Sequence, residues 1–195
     1  TLIRIFLSPI FLLVYLKYQV LGLSETALPY VLLALLLVSE FSDAFDGYIA
    51  RKLDQVTDLG KIFDPMADSI SRISVFLTFT MKPIHLPMLL VFVFIYRDSV
   101  ISTLRTICAI RGHTLAARNS GKIKAVIQAL ASFAVIGFMI LHAHGYMKAS
   151  ELKQYSFYVV SIAAVYAVIS GVEYIYVNRE HIKKMLSQSH FKKES

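Results

Sequence analysis

The chain has 195 residues, 56% of them hydrophobic, and carries 20 Lys and Arg against 13 Asp and Glu for a net charge of +7. In a soluble protein that balance would point to nucleic acid, but here the charges flank long apolar runs (30–38, 88–95 and 125–141), a pattern of membrane topology that excludes a nucleic-acid module. The lone Cys108 excludes an intramolecular disulfide framework and a cysteine metal site.

A run of about 20 mainly apolar residues spans the hydrocarbon core as a helix. Six such segments are predicted, over about 2–21, 28–50, 61–81, 86–110, 119–144 and 154–178. The expected fold is therefore all-α, a single polytopic membrane domain of six transmembrane helices over 1–195, with a basic tail from about 179 that lies in solvent or among lipid headgroups. The first segment carries Arg4 and Lys17 and has no small-residue cleavage site, so it is expected to be a span and not a cleaved signal. The first pair of segments turns at 22–26, the third and fourth are broken by two prolines within 82–87, and 142–153 joins the last two.

Lys and Arg distribute unevenly between the two sides. One side receives Arg51, Lys52, Lys61, Arg111, Arg118, Lys122, Lys124, Arg179, Lys183, Lys184, Lys192 and Lys193, the other only Lys82, Lys148 and Lys153. That bias predicts both termini and the 51–61 and 111–124 connections in the cytoplasm, with the protein integral to the inner (cytoplasmic) membrane.

Four carboxylates interrupt the apolar pattern between 43 and 68. Asp43, Asp46, Gly47 and Ala50 fall at i, i+3, i+4 and i+7, and Gly60, Asp64, Asp68 and Ser71 at i, i+4, i+8 and i+11, so each set occupies one face of a helix. A charge at the bilayer centre costs about 2.5–3.5 kcal/mol on insertion scales, which makes such acids candidates for function. Carboxylates without His or thiolate select hard cations such as Mg, Mn or Ca, and two pairs can clamp two ions for displacement at phosphorus. Gly47 and Gly60 suit close approach of a ligand or helix, Ala50 keeps the face small, and Arg51 can reach a phosphate. A solvated loop would not arrange its acids on two helical faces, and an EF-hand lacks its bidentate Glu here. A cation channel or transporter would use intramembrane acids but has no call for the glycines and Arg51.

Asp43-x-x-Asp46-Gly47-x-x-Ala50-Arg51, followed after eight residues by Gly60, then Asp64 and Asp68 at four-residue steps, resembles the signature of the CDP-alcohol phosphatidyltransferases at all eight of its fixed positions. The resemblance implies a six-helix membrane enzyme, usually a homodimer, with its active site at the cytoplasmic face and two Mg2+ or Mn2+ ions. By the same resemblance Asp43, Asp46, Asp64 and Asp68 are metal ligands, Asp68 also the general base, and Asp46, Gly47, Ala50, Arg51 and Gly60 line the CDP site.

Beyond the signature, Arg4 before an apolar helix, 64–68, Tyr96-Arg97-Asp98, Ser102, Leu104, Arg105, Gly121-Lys122-x-Lys124 and Gln128 resemble the phosphatidylglycerophosphate synthases of that family. This implies CDP-diacylglycerol as donor and sn-glycerol 3-phosphate as acceptor, with Arg105, Arg118, Lys122, Arg4 and Lys124 as candidates for the acceptor phosphate. Two positions depart from that pattern: Ser69 stands where those synthases commonly carry Lys, and Asp98 where they commonly carry Glu. Inositol 1-phosphate, which calls for the same basic cluster, is the rival acceptor. Asp98 has a second reading as a helix-gluing ion pair, with Arg105 at i+7 as a possible partner.

Overall fold

The computed structural model describes the backbone of residues 2–52, 58–110, 118–180 and 182, and the side chains of these except at 2, 43–52, 58–65, 109 and 110. Among the described residues six helices follow one another: α1 (Leu2–Lys17), α2 (Leu28–Lys52), α3 (Asp58–Thr78), α4 (Met88–Ile110), α5 (Asn119–Ala143) and α6 (Ala149–Val177). No strand occurs among the described residues.

Each helix matches an expected segment, and the differences at the ends have local causes. Gly22 takes a positive φ of 71° in the turn that follows α1, so the chain reverses before the apolar run is exhausted and α1 stops at Lys17 instead of near 21. α6 begins at Ala149, five residues before the expected 154, because its polar first turn is a helix start. The Glu151 side chain there accepts the Lys148 backbone N–H at 2.8 Å, satisfying one of the orphan donors of the terminus.

The helices close a ring in which α1 packs on α2 and α3, α3 on α4, α4 on α6, α6 on α5 and α5 back on α2, with α3 also touching α5 across the middle. An aromatic cluster ties the first half together: Phe11 meets Phe79 edge to face at 6.5 Å, and Phe76 lies 4.8 Å from Phe94. The α5–α6 contact is built differently. α6 buries Ser156, Val160, Ala163, Ala164, Ala167, Ser170 and Gly171 at helical spacing and turns Ile162, Val165, Val168, Ile169 and Val172 outward.

Small residues inside and large aliphatic ones outside invert the pattern of a water-soluble helix. The same outward apolar face recurs at Phe6, Leu13, Leu89, Phe92, Val126 and Leu130, a surface far greasier than a soluble monomer exposes. The protein is a membrane protein of all-helical fold. Two described helices, α5 and α6, are by themselves long and apolar enough to cross a bilayer, with mean hydropathy of 2.0 and 1.8. The others carry charge where the site is built: the apolar part of α2 ends at Ser42, just before Asp43, and α3 and α4 bear Asp68, Arg72, Arg97, Asp98 and Arg105.

Candidate active site

Because successive helices alternate in direction, the start of α1, the end of α2, the start of α3, the end of α4, the start of α5 and the end of α6 meet at one end of the ring. Every acidic residue of the signature belongs to that end. Asp43 and Asp46 lie in the last turns of α2, and Asp64 and Asp68 in the first half of α3. Ser39 and Ser71 approach to 3.4 Å between their hydroxyls, one turn along the chain from Asp43 and from Asp68 respectively, so α2 and α3 meet there. The side chains of Asp43, Asp46, Gly47, Ala50, Arg51, Gly60 and Asp64 lie outside the described residues.

Asp68 is described, and its surroundings are cationic. Arg4 of α1, itself almost wholly buried, donates to Asp68 Oδ1, and Arg72, one turn along α3, places a terminal nitrogen 3.9 Å from Asp68 Oδ2. Ser8 fixes the local geometry of α1 by donating its hydroxyl to the Arg4 carbonyl at 2.7 Å.

One residue beyond Asp68 the network passes to α4. Ser69 Oγ donates to Asp98 Oδ2 at 3.4 Å. Lys124 of α5 donates to both Asp98 oxygens, at 2.7 and 2.9 Å, and Arg97 donates to Oδ1 at 3.0 Å. Asp98 is thus the ion pair that the second reading anticipated, but its partner is Lys124 on a different helix and not Arg105 seven residues along its own. Arg105 turns the other way, donating from Nε to the Tyr174 hydroxyl at 3.3 Å with its guanidinium 5.2 Å over that ring.

Arg97 crosses from α4 to α6. It donates to Ser170 Oγ at 3.1 Å, and its stem passes so close to Gly171 that a Cβ there would stand 3.1 Å from Arg97 Cγ. A methyl at 171 must therefore displace the arginine, whereas one at Gly137 of α5 would meet nothing within 4 Å. We expect Gly137→Ala to raise stability by about 0.5–1 kcal/mol through helix propensity. Gly171→Ala should instead lose about 1 kcal/mol or more to overpacking. Paired unfolding curves in one detergent decide it; a gain at both positions would mean that Arg97 is not fixed against α6.

Of the five candidates for an acceptor phosphate, Arg4 and Lys124 are buried and held by carboxylates, Arg105 lies on Tyr174, Arg118 pairs with Glu173 at 2.9 Å, and Lys122 is exposed at the start of α5. The Arg118–Glu173 pair is more than a third exposed on both sides and contributes about 1 kcal/mol at most. Arg72 and Glu173 belong to this end but are not positions of the signature, so the motif did not point to them. Tyr174 is buried and serves as the seat of Arg105.

The donor chemistry on the two acidic faces, carboxylate oxygen with no His or Cys on the signature, fits a hard divalent cation. The described side chains alone contain no group of three or more His, Cys, Asp and Glu that could hold a metal, because Asp68 is the single signature acid among them.

The family model described as CDP-alcohol phosphatidyltransferase matches residues 1–169. Among curated proteins, the chain is 33% identical over 191 residues to a CDP-diacylglycerol–glycerol-3-phosphate 3-phosphatidyltransferase of Bacillus subtilis, covering 94% of each. It is 30% identical to a probable phosphatidylglycerophosphate synthase of Mycobacterium tuberculosis H37Rv, over 90% of this chain and 77% of that one. With a Rickettsia typhi protein bearing the same name as that of Bacillus, it shares 29% identity over 89% of this chain and 91% of the other.

Proposed function

Because the chain belongs to the CDP-alcohol phosphatidyltransferase family, we propose that it transfers the phosphatidyl group of CDP-diacylglycerol to sn-glycerol 3-phosphate, giving phosphatidylglycerophosphate and CMP. The observation that supports this reading is the polar cluster at one end of the ring, where Asp68 and Asp98 meet Arg4, Arg72, Arg97 and Lys124. A displacement at phosphorus between two anionic substrates calls for carboxylates and cations in that arrangement.

In this reading Asp43, Asp46, Asp64 and Asp68 hold Mg2+ or Mn2+. The bound ions supply charge neutralisation to the donor diphosphate and to the departing CMP. Gly47, Ala50 and Gly60 give the nucleotide a surface without bulk, and Arg51 meets its phosphate. The acceptor hydroxyl oxygen attacks the phosphatidyl phosphorus, the bond from that phosphorus to the CMP oxygen breaks, and Asp68 takes the hydroxyl proton.

All six helices span the membrane in this account, since the ring is continuous and the charged helices bury their charges toward one another. The Lys and Arg bias supports a cytoplasmic site in the cell membrane. The family resemblance supports a homodimer.

The test is CMP release by purified protein with Mg2+ or Mn2+, with CDP-diacylglycerol present and glycerol 3-phosphate supplied or withheld. Release should depend on the acceptor. Silence with glycerol 3-phosphate, inositol 1-phosphate, inositol and serine alike would remove the transferase reading.

A further inference from the structure

The end of the ring opposite the acidic helices holds a cavity of about 490 Å3, within the size range of small-molecule sites. It lies between the end of α1, the turn into α2, the α3–α4 connection and the end of α5. Tyr15, Leu28 and Met139 give it a buried, mainly apolar wall, while Glu25 and Lys82 stand exposed at its rim. Its described lining carries one carboxylate, one ammonium and the imidazole of His142. Lys17, Lys148, Glu151 and Lys153 belong to the same end of the ring but do not line it.

Glu25 and Lys82 face one cavity without touching. Among the described residues neither forms an ion pair, and the carboxylate accepts a side-chain hydrogen bond only from the Tyr18 hydroxyl, at 3.4 Å. The rim is tied down from inside: Tyr15 donates its hydroxyl to the Lys82 carbonyl at 2.8 Å, joining the α3–α4 connection to α1. His142 donates from Nδ1 to the Met147 carbonyl at 2.8 Å, which leaves Nε2 of the neutral ring as an acceptor. Opposite charges held apart across a cavity suit a zwitterion, its cation at Glu25 and His142 and its anion at Lys82.

The mouth lies at headgroup depth. Tyr30, Tyr146 and Tyr155 are exposed around this end, and amphipathic rings of that kind gather at the membrane–water interface. Leu16, Val20 and Leu21 are exposed beside the mouth, an apolar surface along which acyl chains can lie while a polar head enters. We propose that this cavity binds the headgroup of a membrane phospholipid that carries both a phosphodiester and a primary ammonium, with Lys82 on the phosphate and Glu25 on the ammonium. A quaternary ammonium has the same charge but no N–H to give to Glu25 and His142.

Native mass spectrometry of the full chain in detergent, titrated with phosphatidylethanolamine or phosphatidylcholine of matched chains, reads binding without turnover. Its outcome is therefore independent of the transferase reading. Wild type should bind phosphatidylethanolamine roughly tenfold more tightly than phosphatidylcholine, the difference that one charge-assisted hydrogen bond supplies. Glu25→Gln should remove that preference, and Lys82→Met should weaken both lipids; because both side chains are exposed, unfolding in detergent should match wild type. Equal affinity of wild type for the two lipids would overturn the proposal, as would a preference that survives Glu25→Gln or full binding by Lys82→Met. Displacement of the lipid by an equal concentration of glycerophosphoethanolamine, the head without its chains, would overturn the assignment to a membrane lipid.

Discussion

Asp68→Asn should lower the rate of CMP release by between about a hundredfold and ten-thousandfold, the range expected when a positioned proton acceptor is lost. The substitution is nearly isosteric, and the Asn carbonyl can still accept from Arg4, so the link between α1 and α3 survives in weakened form. Asp68 is 31% exposed, which limits what the missing charge costs the fold. A folded protein with little turnover is therefore the expected phenotype. A variant that keeps more than about a tenth of wild-type turnover would show that another group takes the proton.

The largest loss of stability should follow from Asp98→Ala. Lys124 is 5% exposed and finds its hydrogen bonds on Asp98, which also receives Arg97 and Ser69, so one deletion leaves cations from α4 and α5 uncompensated at the centre of the polar end. Breaking a buried pair from one side typically costs about 3–5 kcal/mol, mainly because the remaining charge is stranded. Adding Lys124→Met should recover much of the loss, since the stranded ammonium goes with it and Arg97 keeps Ser170. Unfolding of wild type, both single variants and the double variant in the same detergent measures the coupling. Additive effects would mean that the pair, for all its geometry, does not act as a unit.

The helices were legible because apolar length is a property of the chain itself, and α2, α4 and α5 stand where the runs place them. The start of α6 was hidden, since Ser150, Glu151 and Lys153 are polar and only the Glu151 cap marks them as helical. The signature acids were legible as helix positions: Asp43 and Asp46 belong to α2 and Asp64 and Asp68 to α3, and these two helices meet at Ser39 and Ser71.

Partners across helices were not legible. Spacing within α4 puts Arg105 on the face of Asp98, yet the packing of α4 with α3 and α6 brings Lys124 to the carboxylate and sends Arg105 to Tyr174. Arg72 shows the same limit. It lies one turn from Asp68 and so was within reach of a periodicity argument, but spacing along α3 does not show that Arg4 of α1 already holds the Asp68 carboxylate.

The central claim is the transfer of a phosphatidyl group to a phosphate-bearing polyol, and the mass of the lipid product tests it most directly. Purified protein given CDP-diacylglycerol together with equal glycerol 3-phosphate, inositol 1-phosphate, inositol and serine should make phosphatidylglycerophosphate as its main product, with CMP released in equal amount. A product carrying inositol or serine, or CMP released with free phosphatidic acid in its place, would contradict the account.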